Sequence, residues 1–171
     1  LEALYANLFK EPYPSEAAKE TPLLADAFSN QGVSMADLGK TDEALKHFNA
    51  ALKQDPTHPG AIYNRGVLRL REGRAEPGEL VVELALSRRA RPREWPPCYL
   101  SGLLRLAGGL AEGAVKDLNE AQTLSHSNPL IQRALKAAQA GKLDAPLDYF
   151  VAPPRGAEAA AMEESLFNSL M

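Results

Sequence analysis

Glycine recurs in this chain at a nearly fixed interval, and that recurrence limits what the chain can fold into. Gly32 returns as Gly66 and Gly39 as Gly73, each after 34 residues (66 − 32 and 73 − 39). Both return again as Gly102 and Gly109 after a further 36. The stretch Ala25–His58, ADAFSNQGVSMADLGKTDEALKHFNAALKQDPTH, shows what is being repeated. Two amphipathic helical patterns flank a Gly-Lys-Thr-Asp turn, and Asp55-Pro56 ends the second. Phe28, Gly32 and Met35 share a face of the first helix; Ala44, Phe48 and Ala51 share a face of the second, at the i, i+4, i+7 spacing of a buried stripe. Gly32 lets two antiparallel helices approach closely, because it has no side chain to hold them apart. Thr41 or Asp42 is placed to cap the second helix, and Glu43 suits its first turn.

A helical hairpin alone cannot bury both of its apolar faces, so it must stack on copies of itself. Glu43 maps to Glu79, Phe48 to Leu84, Ala51 to Ser87 and Pro56 to Pro92; Ala114, Leu118 and Ala121 occupy the stripe in the third copy. The two extra residues of the second copy fall in the turn Arg74–Gly78, where a surface loop absorbs an insertion at little cost. This period and pattern resemble the tetratricopeptide repeat (TPR), a family of helix-turn-helix units of about 34 residues. The resemblance implies an all-α fold: a right-handed superhelical stack of antiparallel hairpins, a TPR-type α-solenoid, with flanking N- and C-terminal helices. The expected layout is an N-terminal capping helix and lead-in at 1–20, a TPR domain at 21–141 and a C-terminal part at 142–171. The TPR domain divides into repeats 25–58, 59–94 and 95–128 and a capping helix at 129–141, which Asn128-Pro129 opens and Gly141 closes. The C-terminal part is a proline-containing linker, whose Leu147, Tyr149, Phe150 and Val151 suggest that it lies along the protein, followed by an amphipathic helix.

Function classes other than binding find little support. A single cysteine excludes a disulfide framework within the chain and suits a reducing, cytoplasmic setting, and the net charge of −3 offers no overall attraction to nucleic acid. No apolar run reaches the ~18 residues of a membrane span. Gly39-Lys40-Thr41 imitates the end of a phosphate-binding loop, but Ser34 stands where that motif needs glycine and no strand precedes it. His47, His58 and His126 show no metal-ligand spacing, and Cys98 falls at the repeat position held by Phe28 and Ile62, which marks a core residue. The pattern thus predicts no catalytic residue, metal or cofactor. Arg88-Arg89-Ala90-Arg91-Pro92-Arg93 is the one basic cluster, and its place at the end of a second repeat helix fits a solvated helix terminus better than a nucleic-acid contact.

The TPR resemblance implies that function resides on the concave face built by the first helix of each repeat. In the first repeat its lining positions are Asp26, Ser29, Asn30, Val33, Ala36 and Asp37. The peptide-binding groove is expected at Asn30, Tyr63, Asn64, Val67, Leu70, Arg71, Tyr99, Leu100, Leu103 and Leu106, turning apolar and tyrosine-rich in its C-terminal half. One TPR subclass grips acidic chaperone C-termini with cationic and asparagine side chains; at those positions this chain has Ser29, Val33, Asn64, Pro96 and Leu100. Only Asn64 conforms, which argues against carboxylate-clamp chaperone binding. The leading expectation is a non-catalytic scaffold that binds an apolar helical or extended protein segment. The alternative is a regulatory TPR domain of a larger enzyme, since the chain begins at Leu1 and reads as a piece of a longer protein. The tail stripe Met162, Leu166, Phe167 and Leu170 is expected to dock in the groove, in cis or in a second copy.

Overall fold

The structure is a computed structural model that describes residues 22–126, 128–141 and 147–151. The expected N-terminal helix and the tail stripe Met162, Leu166, Phe167 and Leu170 lie outside these residues. Among the described residues seven helices follow one another: α1 Pro22–Asp37, α2 Thr41–Gln54, α3 Pro59–Arg71, α4 Pro77–Ala90, α5 Pro96–Ala107, α6 Ala111–Ser125 and α7 Pro129–Gln139. Proline opens α3, α4, α5 and α7 in the first turn, where its missing N–H is no loss. Asn128 caps α7 by accepting the Leu130 N–H at 2.9 Å. His58 caps α3, its Nδ1 accepting the Ala61 N–H at 3.0 Å. Thr41 and Asp42, expected as caps, instead lie inside the first turn of α2; Lys40 takes the cap position without a side-chain bond.

The three hairpin turns are chemically the same. Gly39, Gly73 and Gly109 take φ of 73°, 68° and 77°, a left-handed conformation that costs glycine little. Each glycine N–H bonds three residues back and the next N–H five back, as in Lys40 to Met35 at 2.9 Å, Arg74 to Arg69 at 2.8 Å and Leu110 to Arg105 at 2.8 Å. That pair of bonds satisfies the last carbonyls of α1, α3 and α5. The second turn is longer, as expected, but the insertion is confined to Arg74–Glu76; Pro77 and Gly78 already belong to α4.

The recurring mid-helix glycines are the points of closest approach. A Cβ on Gly32 would lie 2.5 Å from the Phe48 ring, and one on Gly102 would lie 2.7 Å from Leu118 Cγ. In the second hairpin the partner of Gly66 is Leu80, not the Leu84 that the repeat alignment offers. Leucine at 80 replaces the Ala44 and Ala114 of the other hairpins, and the larger side chain takes the space one turn earlier. α1 also departs from the expected rotation. Ala25, Ser29 and Val33 are buried, so Ser29 and Val33 belong to the core and not to an open groove.

Successive hairpins are joined by apolar contact and by buried ion pairs. Arg91 reaches back from the end of α4 to Asp55 and to the Thr57 carbonyl, the latter at 2.7 Å. Asp117, 5% exposed, accepts from Arg88 at 3.0 Å and from Arg105 at 2.8 Å, and Arg88 also pairs with Glu120. Two arginines of the basic cluster are therefore neutralised within the fold. Among the described residues, the backbones of α1, α3, α5 and α7 approach each other in succession, whereas those of α2, α4 and α6 stay apart and α4 meets α6 through the Arg88 side chain. The first helices thus form the inner layer of the curve.

The glycine contacts carry a test. Gly102→Ala forces a methyl group against Leu118 and is expected to cost about 1–3 kcal/mol in urea unfolding. Gly78→Ala, with no atom within 4 Å of its new methyl group, is expected to stabilise by about 0.4–1 kcal/mol. Equal effects from the two variants would contradict this packing.

Candidate functional site

The inner layer is not bare. Residues Leu147–Val151 form a strap across α3 and α5, held by main-chain hydrogen bonds and by the packing of Leu147, Tyr149 and Phe150. Asn64, fully buried on α3, donates from Nδ2 to the Phe150 carbonyl at 2.7 Å and accepts the Phe150 N–H on Oδ1, also at 2.7 Å. Both main-chain groups of one residue thus face the same way, as they do along an extended chain paired with a strand. Arg71 donates to the Leu147 carbonyl at 2.9 Å, and its guanidinium lies 4.3 Å from the Tyr149 ring centroid. Phe150 is buried, its ring 5.9 Å from that of Trp95 and 6.4 Å from that of Tyr99.

Gly60 makes room for this ring: a Cβ there would stand 3.1 Å from Phe150. Beside the strap lies a cavity of about 620 Å³. Its helical wall comes from Tyr63 on α3, from Tyr99, Leu100, Leu103 and Leu106 on α5, and from Leu130, Arg133, Ala134 and Ala137 on α7; strap residues 148–151 complete it. Tyr63, 0% exposed, carries a hydroxyl with no hydrogen-bond partner among the described residues.

The ten residues expected in the groove divide into three groups. Tyr63, Tyr99, Leu100, Leu103 and Leu106 line the cavity, and Asn64 and Arg71 hold the strap. Val67 is core, Leu70 packs against that core, and Asn30 is half-buried on α1 away from the cavity wall. The expectation of an own segment in the groove pointed to the tail helix; among the described residues the occupant is the linker segment 147–151. Leu130, Arg133 and Ala137 of the capping helix were not expected in the site. The signal for the strap was its aromatic and aliphatic content between prolines, in a stretch that no repeat position explains.

Burial governs the chemistry here. It raises the Tyr63 hydroxyl well above the usual tyrosine range, with Tyr99 and Asp148 adding to the shift and Arg71 opposing it. Tyr99 is raised by burial too, against the pull of Arg133 and with a contribution from Asp148. Burial also pushes the Cys98 thiol up to about 12, against Arg88. Among the described residues, no group of three or more His, Cys, Asp or Glu side chains is placed to hold a metal. No helix among them is long and apolar enough to cross a membrane.

A family model described as the TPR repeat matches residues 32–73. The fold is similar to the first TPR of Spaghetti (RPAP3), solved bound to the HSP90 peptide SRMEEVD, with a TM-score of 0.55 and 20% identity over 71% of this chain and 95% of that one. The first TPR domain of human RPAP3 gives a TM-score of 0.57 at 21% identity, over 71% and 94%. PcrH from Pseudomonas aeruginosa gives 0.50 at 19%, over 68% and 87%. No curated protein matches the sequence. Residues 32–73 thus match the tetratricopeptide repeat, and the fold is the all-α helical-hairpin stack seen in solved domains of that type.

The raised thiol and hydroxyls predict an alkaline limit. The folded chain keeps a proton on Cys98 that the unfolded chain releases near 9.0, so its stabilising share is complete below pH 9.0 and is lost as pH rises towards about 12. Tyr63 and Tyr99 act in the same direction above 10.0. The urea midpoint should therefore fall on raising the pH from 9.0. Tyr63→Phe should flatten that fall, and the thiol should resist alkylation near pH ~8 until the chain unfolds. A midpoint constant through this range would contradict the assignment.

Proposed function

We propose that this protein is a non-catalytic protein-interaction scaffold that takes an extended segment of a partner protein along the face built by α3, α5 and α7. The observation that carries the reading is the double hydrogen bond from Asn64 to the backbone of one residue. A side chain that reads both an N–H and a C=O grips a chain irrespective of its sequence, and the adjoining apolar walls supply the side-chain preference. Apolar area and aromatic anchors give such sites most of their binding energy. The positions where related domains present cations to an acidic peptide carry Ser29, Pro96 and Leu100 here, Val33 replaces an asparagine of that clamp, and Ser29, Val33 and Leu100 are buried. This supports an apolar, aromatic partner segment over an acidic C-terminus such as the HSP90 peptide of the Spaghetti complex. The pairing of Arg88 and Arg91 with Asp117, Glu120 and Asp55 neutralises two of the four arginines in the basic stretch, which weakens a nucleic-acid reading.

Selection of a random peptide display library on the full chain tests the reading. Leu103, half-buried in the cavity wall, and Val82, 71% exposed on α4, supply the pair of variants. Selected peptides are expected to lose at least about tenfold in affinity on Leu103→Asp, the cost of a charge in an apolar contact, and nothing on Val82→Ser. Peptides that respond to neither variant, or only to the second, would sink the groove as the binding face.

A further inference from the structure

We infer that Leu147–Val151 is a resident stand-in for the partner: the natural ligand is an extended segment of another protein, with an aromatic residue at the Phe150 place, and it binds by displacing the strap. The inference rests on the function proposed above and names the class of ligand for the same face.

The strap's own contacts mark it as replaceable. Its three direct hydrogen bonds to Asn64 and Arg71 all use main-chain atoms, which any other extended segment also carries. Of its side chains Phe150 alone is fully buried; Leu147 and Tyr149 pack half-buried on the core, Asp148 is exposed and Val151 is 57% exposed.

The strap also leaves capacity unused. The Tyr63 hydroxyl is sealed in the fold with no partner among the described residues, and Asp148 lies close enough to influence it without bonding it. A segment that brings an acceptor to that hydroxyl gains a bond the strap does not make. The 620 Å³ cavity next to Phe150 is walled by Leu103, Leu106, Leu130 and Ala137, so a longer apolar side chain beside the aromatic anchor has a place to go. Arg71 and Arg133 flank the site, which favours an acidic neighbour such as the strap's own Asp148. A tethered strap competes at an effective concentration on the order of millimolar, so a free segment must outbid it or find it loosened.

Trp95, the one tryptophan of the chain, reports on this exchange because its ring packs on Phe150. Full-length Phe150→Ala is expected to shift Trp95 emission, and a synthetic peptide of residues 145–153 should reverse the shift saturably. That peptide should bind Phe150→Ala at least about tenfold more tightly than it binds the unaltered chain. Asn64→Ala in the Phe150→Ala background should abolish the rescue with helical circular dichroism retained. Tyr63→Phe in that background should leave affinity for the strap peptide unchanged, since the strap makes no bond there.

Should Phe150→Ala not fold, a peptide carrying fluorophenylalanine at the Phe150 place is titrated on the unaltered chain, where a shifted fluorine resonance is expected. Absence of that resonance, or a folded Phe150→Ala chain that ignores the peptide, overturns the inference. So does a dimer that Phe150→Ala dissolves, which would make a second copy the occupant. Library peptides that sense Leu103→Asp but do not compete with the strap peptide overturn this inference and leave the proposed function standing.

Discussion

The close approach of paired helices at Gly32, Gly66 and Gly102 is the constraint on which the rest of the structure depends. Without a Cβ at these points, the ring of Phe48 and the branched ends of Leu80 and Leu118 reach the facing backbone. The hairpins close to the distance that lets three copies stack with one curvature. The left-handed glycines at the turns fix where each second helix departs, so the three hairpins share nearly one geometry. Curvature brings α3, α5 and α7 to a common inner face, and only there do Asn64, Tyr99, Leu103 and Arg133 come within reach of one segment.

Electrostatics then holds the repeats in register. Asp117 is nearly sealed from solvent between two arginines of different helices, and Arg91 ties the end of α4 to the turn that follows α2. Such pairs offset the cost of their own burial only when geometry is good, so their value lies as much in fixing one arrangement as in net stability. Arg69 and Arg105 stand at the repeat position that Met35 holds in the first hairpin. Each sends its guanidinium to an acid on the next helix, Glu83 at 3.3 Å and Asp117 at 2.8 Å.

Much of this was legible in the sequence because repetition multiplies a weak signal. One glycine in a helix says little; three at matching places, each followed by a turn glycine, specify a hairpin stack. The proline at the start of α7 and the core placement of Cys98 follow from the same frame. What the frame hid was whatever broke its period. Leu80 against Gly66 needed side-chain volumes, and the inward turn of Ser29 and Val33 needed the rotation of α1. Tyr63, Asn64, Leu100 and Leu106 were read as an open lining, yet a segment outside the repeats helps to close them off. The strap itself has no periodic pattern; its Leu-Asp-Tyr-Phe-Val run was readable as adhering to the protein, but its docking place depends on a side-chain amide that pairs with backbone.

Amide hydrogen exchange at Phe150 probes this directly, since its N–H is the group that Asn64 accepts. The account predicts protection of Phe150 well above that of its strap neighbours, with an opening free energy clearly below that of the α3 and α5 core amides, as befits a segment that leaves while the repeats stay folded. Exchange of Phe150 as fast as an unstructured amide, or only through global unfolding together with α3 and α5, would contradict it.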